Sequence, residues 1–111
     1  MSDYIPKRGD AIWLDFNPQT GREQAGRRPA FVVSPRAYNA KVGLALLCPI
    51  TSRVKGYPFE VLLPEGNPVH GVILADQLKS LDWRKRRAEF ICTFPEAVTY
   101  EVIKKVEALL R

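Results

Sequence analysis

The sequence predicts a mainly β fold, a small closed antiparallel barrel with a single C-terminal helix, and three observations carry that expectation. Apolar runs of strand length recur at short intervals along the chain. Pro- and Gly-rich segments punctuate many of them, and only the last stretch shows helical spacing. Closure is expected because it removes the exposed sheet edges that short strands would otherwise leave. The 111 residues match the size of one domain, so residues 1–111 are read as a single domain.

The elements follow in order. Ala11 to Phe16 mixes alternation with bulky strand-favouring residues and stops at the turn signal Asn17-Pro18. Gln19 to Arg28 carries charges and glycines without period and reads as an exposed loop, closed by Pro29 before a short strand from Ala30 to Ser34. Pro35 to Gly43 reads as a turn or one helical turn. Leu44 to Ile50 is an apolar run whose length favours a buried strand.

A second polar loop spans Thr51 to Pro58. Strands at Phe59 to Leu63 and Val72 to Ala75 bracket the connection Pro64 to Gly71, and a last strand, Ala88 to Thr93, follows the basic run Arg84 to Arg87. Charge runs usually stay hydrated, so that run is expected to form a solvated edge. In the tail, Thr93-Phe94-Pro95-Glu96 has capping-box spacing, and Val98, Val102, Val106 and Leu109 recur on one helical face, which must pack on the sheet.

Composition limits function. The 46% hydrophobic content is enough for a compact core and argues against disorder. No apolar run approaches the ~20 residues needed to span a bilayer, so the expected location is the cytoplasm, with no membrane partner. Cys48 and Cys92 sit inside apolar runs and are expected to stay reduced. The net charge of +5 arises in the first half, where residues 1–55 hold nine Lys/Arg against four Asp/Glu, and residues 56–111 hold eight of each. A basic surplus fits a polyanionic partner such as nucleic acid.

Motifs for metal binding, phosphate-cradling glycine loops and glycine-flanked serine nucleophiles are lacking, so neither metal nor cofactor is expected. The lone histidine, His70, lies in a Pro/Gly-rich connection and is expected to be a solvated turn residue, because a histidine base needs a partner to orient it. The remaining polar concentrations are the loop Gly21 to Pro29 and the loop Pro49 to Pro58. Each also has a bland explanation, as a solvated hairpin end and as a Thr/Ser turn cap.

Four fragments give these loops a meaning. Gly9-Asp10 with Trp13 and Asp15-Phe16, Glu23-Gln24-Ala25-Gly26 with Arg28-Pro29, Thr51 with the run Lys55 to Val61, and Ala75 to Ser80 with Asp82-Trp83 together resemble the MazF toxins of bacterial toxin–antitoxin modules, in the family's order and over nearly the whole chain. PemK and Kid toxins and the gyrase poison CcdB share the fold. The resemblance implies an SH3-like barrel, a homodimer with single-stranded RNA in a groove across its interface, and a MazE-type antitoxin whose acidic tail fills that groove. It also implies metal-independent endoribonuclease cleavage of mRNA that leaves a 2′,3′-cyclic phosphate and a 5′-hydroxyl.

Under that resemblance the catalytic candidates are Arg28, Thr51 and Glu23. Arg28 would grip phosphate oxygens as charge develops, and Thr51 would donate to a non-bridging oxygen. Glu23 would act either as general base or as the residue orienting Arg28, since neighbouring arginines lower a glutamate's pKa and weaken it as a base. RNA contacts are expected from Phe16 and Tyr57 by stacking, from Asn17, Gln24 and Gln77 at base edges, from the hydroxyl of Ser52, and from Arg27, Lys55 and Lys79 on phosphates. Phe16 shares a face with Ile12 and Leu14, so a core role stands beside stacking. Two alternatives remain: a non-enzymatic CcdB-like poison that binds a protein, and a catalytically silent RNA-binding module.

Overall fold

The computed structural model describes residues 3–16 and 26–111. Seven antiparallel strands form one curled sheet: β1 (Asp10–Asp15), β2 (Arg27–Val32), β3 (Leu44–Thr51), β4 (Glu60–Leu62), β5 (Val72–Leu74), β6 (Lys79–Asp82) and β7 (Glu89–Thr93). Two helices accompany them, α1 (Arg36–Val42) between β2 and β3, and α2 (Glu96–Leu109) at the end.

Pairing runs in the order β4-β5-β3-β2-β1-β7, with β6 also on β3. The path does not return from β7 to β4, so the expected closure is not reached. Helix α2 instead lays Val98, Val102 and Val106 into a core shared with Ala11, Phe31, Ile50, Val61 and Ile73.

β3 is the central strand. It pairs with β2 along one side (Ala30↔Pro49, Phe31↔Cys48, Val32↔Leu47). Along the other side its first half takes β6 (Leu47↔Lys79), and its end takes β5 (Ile50↔Ile73, Thr51↔Val72). Alternation sends successive residues to opposite faces. Cys48 and Ile50 therefore enter the α2 core, while Ala45 and Leu47 enter a second core with Ile12, Leu14, Ala30, Val32 and Trp83.

Buried polar groups in this scaffold are paired. Asp10, 1% exposed, accepts from the Tyr4 hydroxyl at 2.6 Å, the Lys7 N–H at 3.1 Å and the Thr93 hydroxyl at 2.8 Å. Burial, then the hydrogen bond and charge of Asp10, raise the Tyr4 pKa. Asn39 is fully buried. Its Nδ2 donates to Pro6 O at 2.8 Å and Ser34 O at 3.1 Å, its Oδ1 accepts from Ser34 Oγ at 2.5 Å, and its main-chain carbonyl accepts from Trp83 Nε1 at 3.0 Å. One side chain thus ties the N-terminal segment to the start of α1, while its carbonyl holds the β6–β7 turn.

Several expectations change. Pro35 to Gly43 holds a seven-residue helix, closed by Gly43 at φ 82°, where glycine avoids the steric cost of the left-handed region. β6 is a strand that the sequence pattern does not signal, because its four residues alternate weakly. The capping box does not form. Thr93 donates its hydroxyl to Asp10, Pro95 stands at the N-cap of α2 with no side-chain cap, and Leu109 is 46% exposed rather than packed.

The basic run is an exposed edge with anchored members. Arg86 Nη1 donates to the carbonyls of Asp15 at 3.0 Å and Phe16 at 2.7 Å. Arg87 Nε pairs with Asp15 Oδ2 at 2.8 Å, and the Arg84 guanidinium lies 4.7 Å from the Trp83 ring centroid. Arg84, Lys85 and Arg87 stay exposed, so the run is a solvated edge that is also braced against the end of β1. Cys48 and Cys92 are free thiols, and burial raises both pKa values, that of Cys48 to about 12.

Asn39→Ala should remove at least one satisfied buried bond at each of two partners and cost about 2–4 kcal/mol of unfolding free energy, readable as a lowered denaturant midpoint at unchanged slope. The hydrogen bonds of Arg87 and then Arg27 hold the Asp15 carboxyl below its ordinary value of 3.8. A depressed carboxylate pKa stabilises the fold fully above the unfolded value, and that contribution is lost as pH falls through the folded one. Asp15→Asn should therefore flatten the acid limb of stability below about pH 4, as measured by thermal melts across pH.

Candidate functional site

The face that carries the second core changes character at one end of the sheet. Along β1 the inward row runs Ile12, Leu14, Phe16. On antiparallel β2 it runs Val32, Ala30, Arg28, and along β3 Leu47, Pro49, Thr51. Carrying the Ala30↔Pro49 register two residues onward brings Arg28 beside Thr51. Strand alternation alone thus assembles these two polar side chains on one face, just past the last core residues.

β2 begins at Arg27, three residues earlier than the sequence pattern predicts. Arg28 consequently stands on a strand rather than in a loop, which suits precise placement. A cavity of about 540 Å³ opens here, lined by Phe16, Arg28, Thr51, Gln77, Lys79 and apolar neighbours including Leu74 and Leu81. Its volume lies within the ~300–1,000 Å³ typical of ligand sites. A second hollow of about 240 Å³ shares Thr51, Leu74 and Gln77 and continues over Arg53, Lys55, Tyr57 and Glu60. The two hollows adjoin through Thr51, Leu74 and Gln77 and, among the described residues, present the cations Arg28, Arg53, Lys55 and Lys79 beside the carboxylate of Glu60.

Arg28 is exposed and, among the described residues, has no ion-pair partner, so its guanidinium is open to an incoming anion. Thr51 Oγ1 accepts from the Arg53 N–H at 3.2 Å. The turn-cap role is therefore real, yet it uses only a lone pair and leaves the hydroxyl proton available. Phe16 packs against the second core, as its alternation with Ile12 and Leu14 predicts, and also lines the cavity.

The loop after β3 is held by its own polar groups. Glu60 accepts from the N–H groups of Lys55 at 3.1 Å and Gly56 at 2.8 Å, and the Tyr57 hydroxyl donates to the Asp76 carboxylate at 3.0 and 3.1 Å. That hydrogen bond, with a smaller desolvation contribution, raises the Tyr57 pKa. Tyr57 thus joins the loop to the turn before β6, which carries Gln77.

Other candidates fall elsewhere. Arg27, one residue from Arg28, points to the opposite face of β2, where it pairs with Asp15 at 2.9 Å and Glu89 at 3.1 Å and donates to Arg87 O at 2.6 Å. The structure does not bring it into the groove. Ser52 is exposed and lines neither hollow. Asn17, Glu23 and Gln24 lie outside the described residues, although Phe16 N donates to Gly26 O at 2.9 Å at the cavity rim. His70 is exposed and also lines neither hollow. A larger hollow of about 750 Å³ beside the start of α2, between Arg8, Tyr100 and Ile103, contains none of the candidates.

Sequence reasoning missed Arg53 as a groove residue, although its spacing two positions after Thr51 was a usable signal. It also missed Gly71, whose backbone lies against Thr51. Among the described residues, no cluster of three or more His, Cys, Asp or Glu could hold a metal ion, and no helix is long and apolar enough to cross a membrane.

The chain is similar to known proteins. Residues 7–110 match the family of PemK-like, MazF-like toxins of type II toxin–antitoxin systems. The chain is 56% identical over 88 residues to the endoribonuclease toxin MazF of Escherichia coli strain K12, covering 79% of this chain and 78% of that one. It is 34% identical over 110 residues to the endoribonuclease toxin ChpB of the same strain, covering 94% and 93%. The MazF chain in a MazE–MazF crystal structure from Deinococcus radiodurans superposes with a TM-score of 0.92 at 56% identity over 97% of both chains. By the family match over residues 7–110 and the 56% identity to MazF, the chain belongs to the PemK-like, MazF-like toxin family of type II toxin–antitoxin systems.

Proposed function

We propose that this endoribonuclease toxin cuts single-stranded RNA in the Arg28–Thr51 cavity by attack of a ribose 2′-hydroxyl on the adjacent phosphate. The bond from phosphorus to the 5′-oxygen breaks as the 2′-oxygen bond forms, giving a 2′,3′-cyclic phosphate and a 5′-hydroxyl. The observation that carries this reading is the convergence, on one concave and cationic surface, of the Arg28 guanidinium and the Thr51 hydroxyl, with no ion-pair partner for Arg28 among the described residues.

The attack is intramolecular, so alignment, two proton transfers and stabilisation of phosphorane charge are what the protein must supply. Arg28 grips two non-bridging oxygens through its planar fork. Thr51 donates to one of them from the end of β3. Lys79 and Lys55 hold flanking phosphates, while Phe16 and Tyr57 offer ring surface and Gln77 an amide to unpaired bases. A base takes the 2′-proton and an acid returns one to the 5′-oxygen. Glu23 serves there as base or as the residue that orients Arg28.

The reaction requires no metal on this account. The working form is a homodimer with the groove continued across its interface, and the site of action is the cytoplasm. A MazE-type antitoxin silences it by laying an acidic tail along the cationic groove, a partnership supported by the MazE–MazF complexes of the Deinococcus radiodurans relatives.

Cleavage of a long unstructured RNA should persist in EDTA and leave cyclic-phosphate ends. Arg28→Ala and Thr51→Ala, both folded by circular dichroism, should each lose about 10²- to 10³-fold in kcat. Abolition by EDTA with recovery on adding a divalent ion would refute the metal-free route. Full activity in both variants would refute the site.

Binding should weaken steeply as salt rises, because phosphate contacts release counterions. An acidic antitoxin peptide should compete with RNA in a fluorescence-anisotropy titration, and sedimentation should give twice the mass of one chain. Simultaneous binding of peptide and RNA would contradict the shared groove.

A further inference from the structure

Gly71 sits where the connection from β4 enters β5, at φ +111°, in the region that L side chains rarely adopt. Its carbonyl accepts from Leu63 N at 2.9 Å. The next residue, Val72, pairs with both Leu62 and Thr51. The connection is therefore fixed on both sides, and its backbone passes directly over the end of β3. A Cβ at Gly71 would run into the Thr51 carbonyl oxygen and come within 2.8 Å of both the Thr51 carbonyl carbon and Ser52 Cα. These are backbone atoms, so no side chain can swing aside to make room.

We propose that Gly71 is a positioning residue for RNA cleavage, its missing side chain allowing the β5 entry to clamp the Thr51–Ser52 peptide and set the Thr51 hydroxyl against Arg28. This rests on the reading of Arg28 and Thr51 as the cleavage site. The clamp acts at a sensitive place. Thr51 is the last residue of β3, and its Oγ1 is tied to Arg53 N at 3.2 Å, so a turn of the Thr51–Ser52 peptide carries the hydroxyl with it. A displacement of about 1 Å in a reacting group can cost ~10²-fold in rate.

The chain contains its own control. Gly66, in the same β4–β5 connection, has φ +88°, but a Cβ there meets nothing within 4 Å. Gly66→Ala therefore imposes the backbone strain without the collision. Gly71→Ala should lower kcat about a hundredfold with KM within threefold of wild type, while Gly66→Ala should leave kcat unchanged despite a lowered melting temperature. In a Thr51→Ala background, Gly71→Ala should cost no further kcat, because the hydroxyl it misplaces is already gone.

D-Alanine at position 71, introduced by chemical ligation, accommodates the positive φ and carries its methyl in place of the other Cα hydrogen, not at the position that meets the β3 backbone. It should fold and keep kcat within threefold, and this variant decides the matter if Gly71→Ala does not fold. Wild-type kcat in Gly71→Ala, a loss that multiplies fully with Thr51→Ala, or a D-alanine protein as impaired as Gly71→Ala would each overturn the inference. Undiminished activity in Thr51→Ala alone would instead remove the site reading beneath it.

Discussion

β3 has to satisfy three neighbours and two cores at once, and the rest of the fold is arranged around that demand. Its eight residues pair with β2 along one side and are shared between β6 and β5 along the other. Its two faces feed different apolar clusters. A one-residue slip would exchange Leu47 and Cys48 between cores and carry Thr51 to the wrong face. Precision at the groove is therefore inherited from core packing, since the register that buries Ala45 and Leu47 also aims Thr51.

The same economy explains why the groove is basic and open while the scaffold beside it is electrostatically closed. Arg27 and Arg28 are neighbours in sequence with opposite fates. Arg27 is consumed by Asp15 and Glu89, and Arg28 has no such partner among the described residues. The pairing of Asp15 with Arg27 and Arg87, with Arg86 on the adjoining carbonyls, braces the end of β1 next to Phe16. Charge on one face stiffens the strands, and charge on the other remains available to phosphate.

Much of this was legible in the residues themselves. The apolar runs at Ala11, Ala30, Leu44 and Val72 became strands, and Val98, Val102 and Val106 became the buried face of α2, because burial enforces periodicity directly. The juxtaposition of Arg28, Thr51, Gln77 and Lys79 could be named through the family resemblance and not through local pattern, since it depends on register across three strand pairs. The missed features share a cause. β6 is four weakly alternating residues held by β3, Thr93 turned from a cap into a partner of Asp10, and Arg27 was drawn away by a carboxylate twelve positions upstream. Each is a tertiary contact overriding a local preference.

The open path of the sheet has a consequence for how the molecule meets others of its kind. Three strands, β4, β6 and β7, have one side unpaired among the described residues, and bare edges invite a stranger's strand. Here the exposure is kept small. β4 offers three residues, and β7 shifts register against β1 between Ala11 and Ile12, an irregularity that bends and twists a strand away from flat stacking. Leaving the ladder open gives α2 a seat in the core, and truncating and distorting its ends keeps that opening from becoming a template for fibrils.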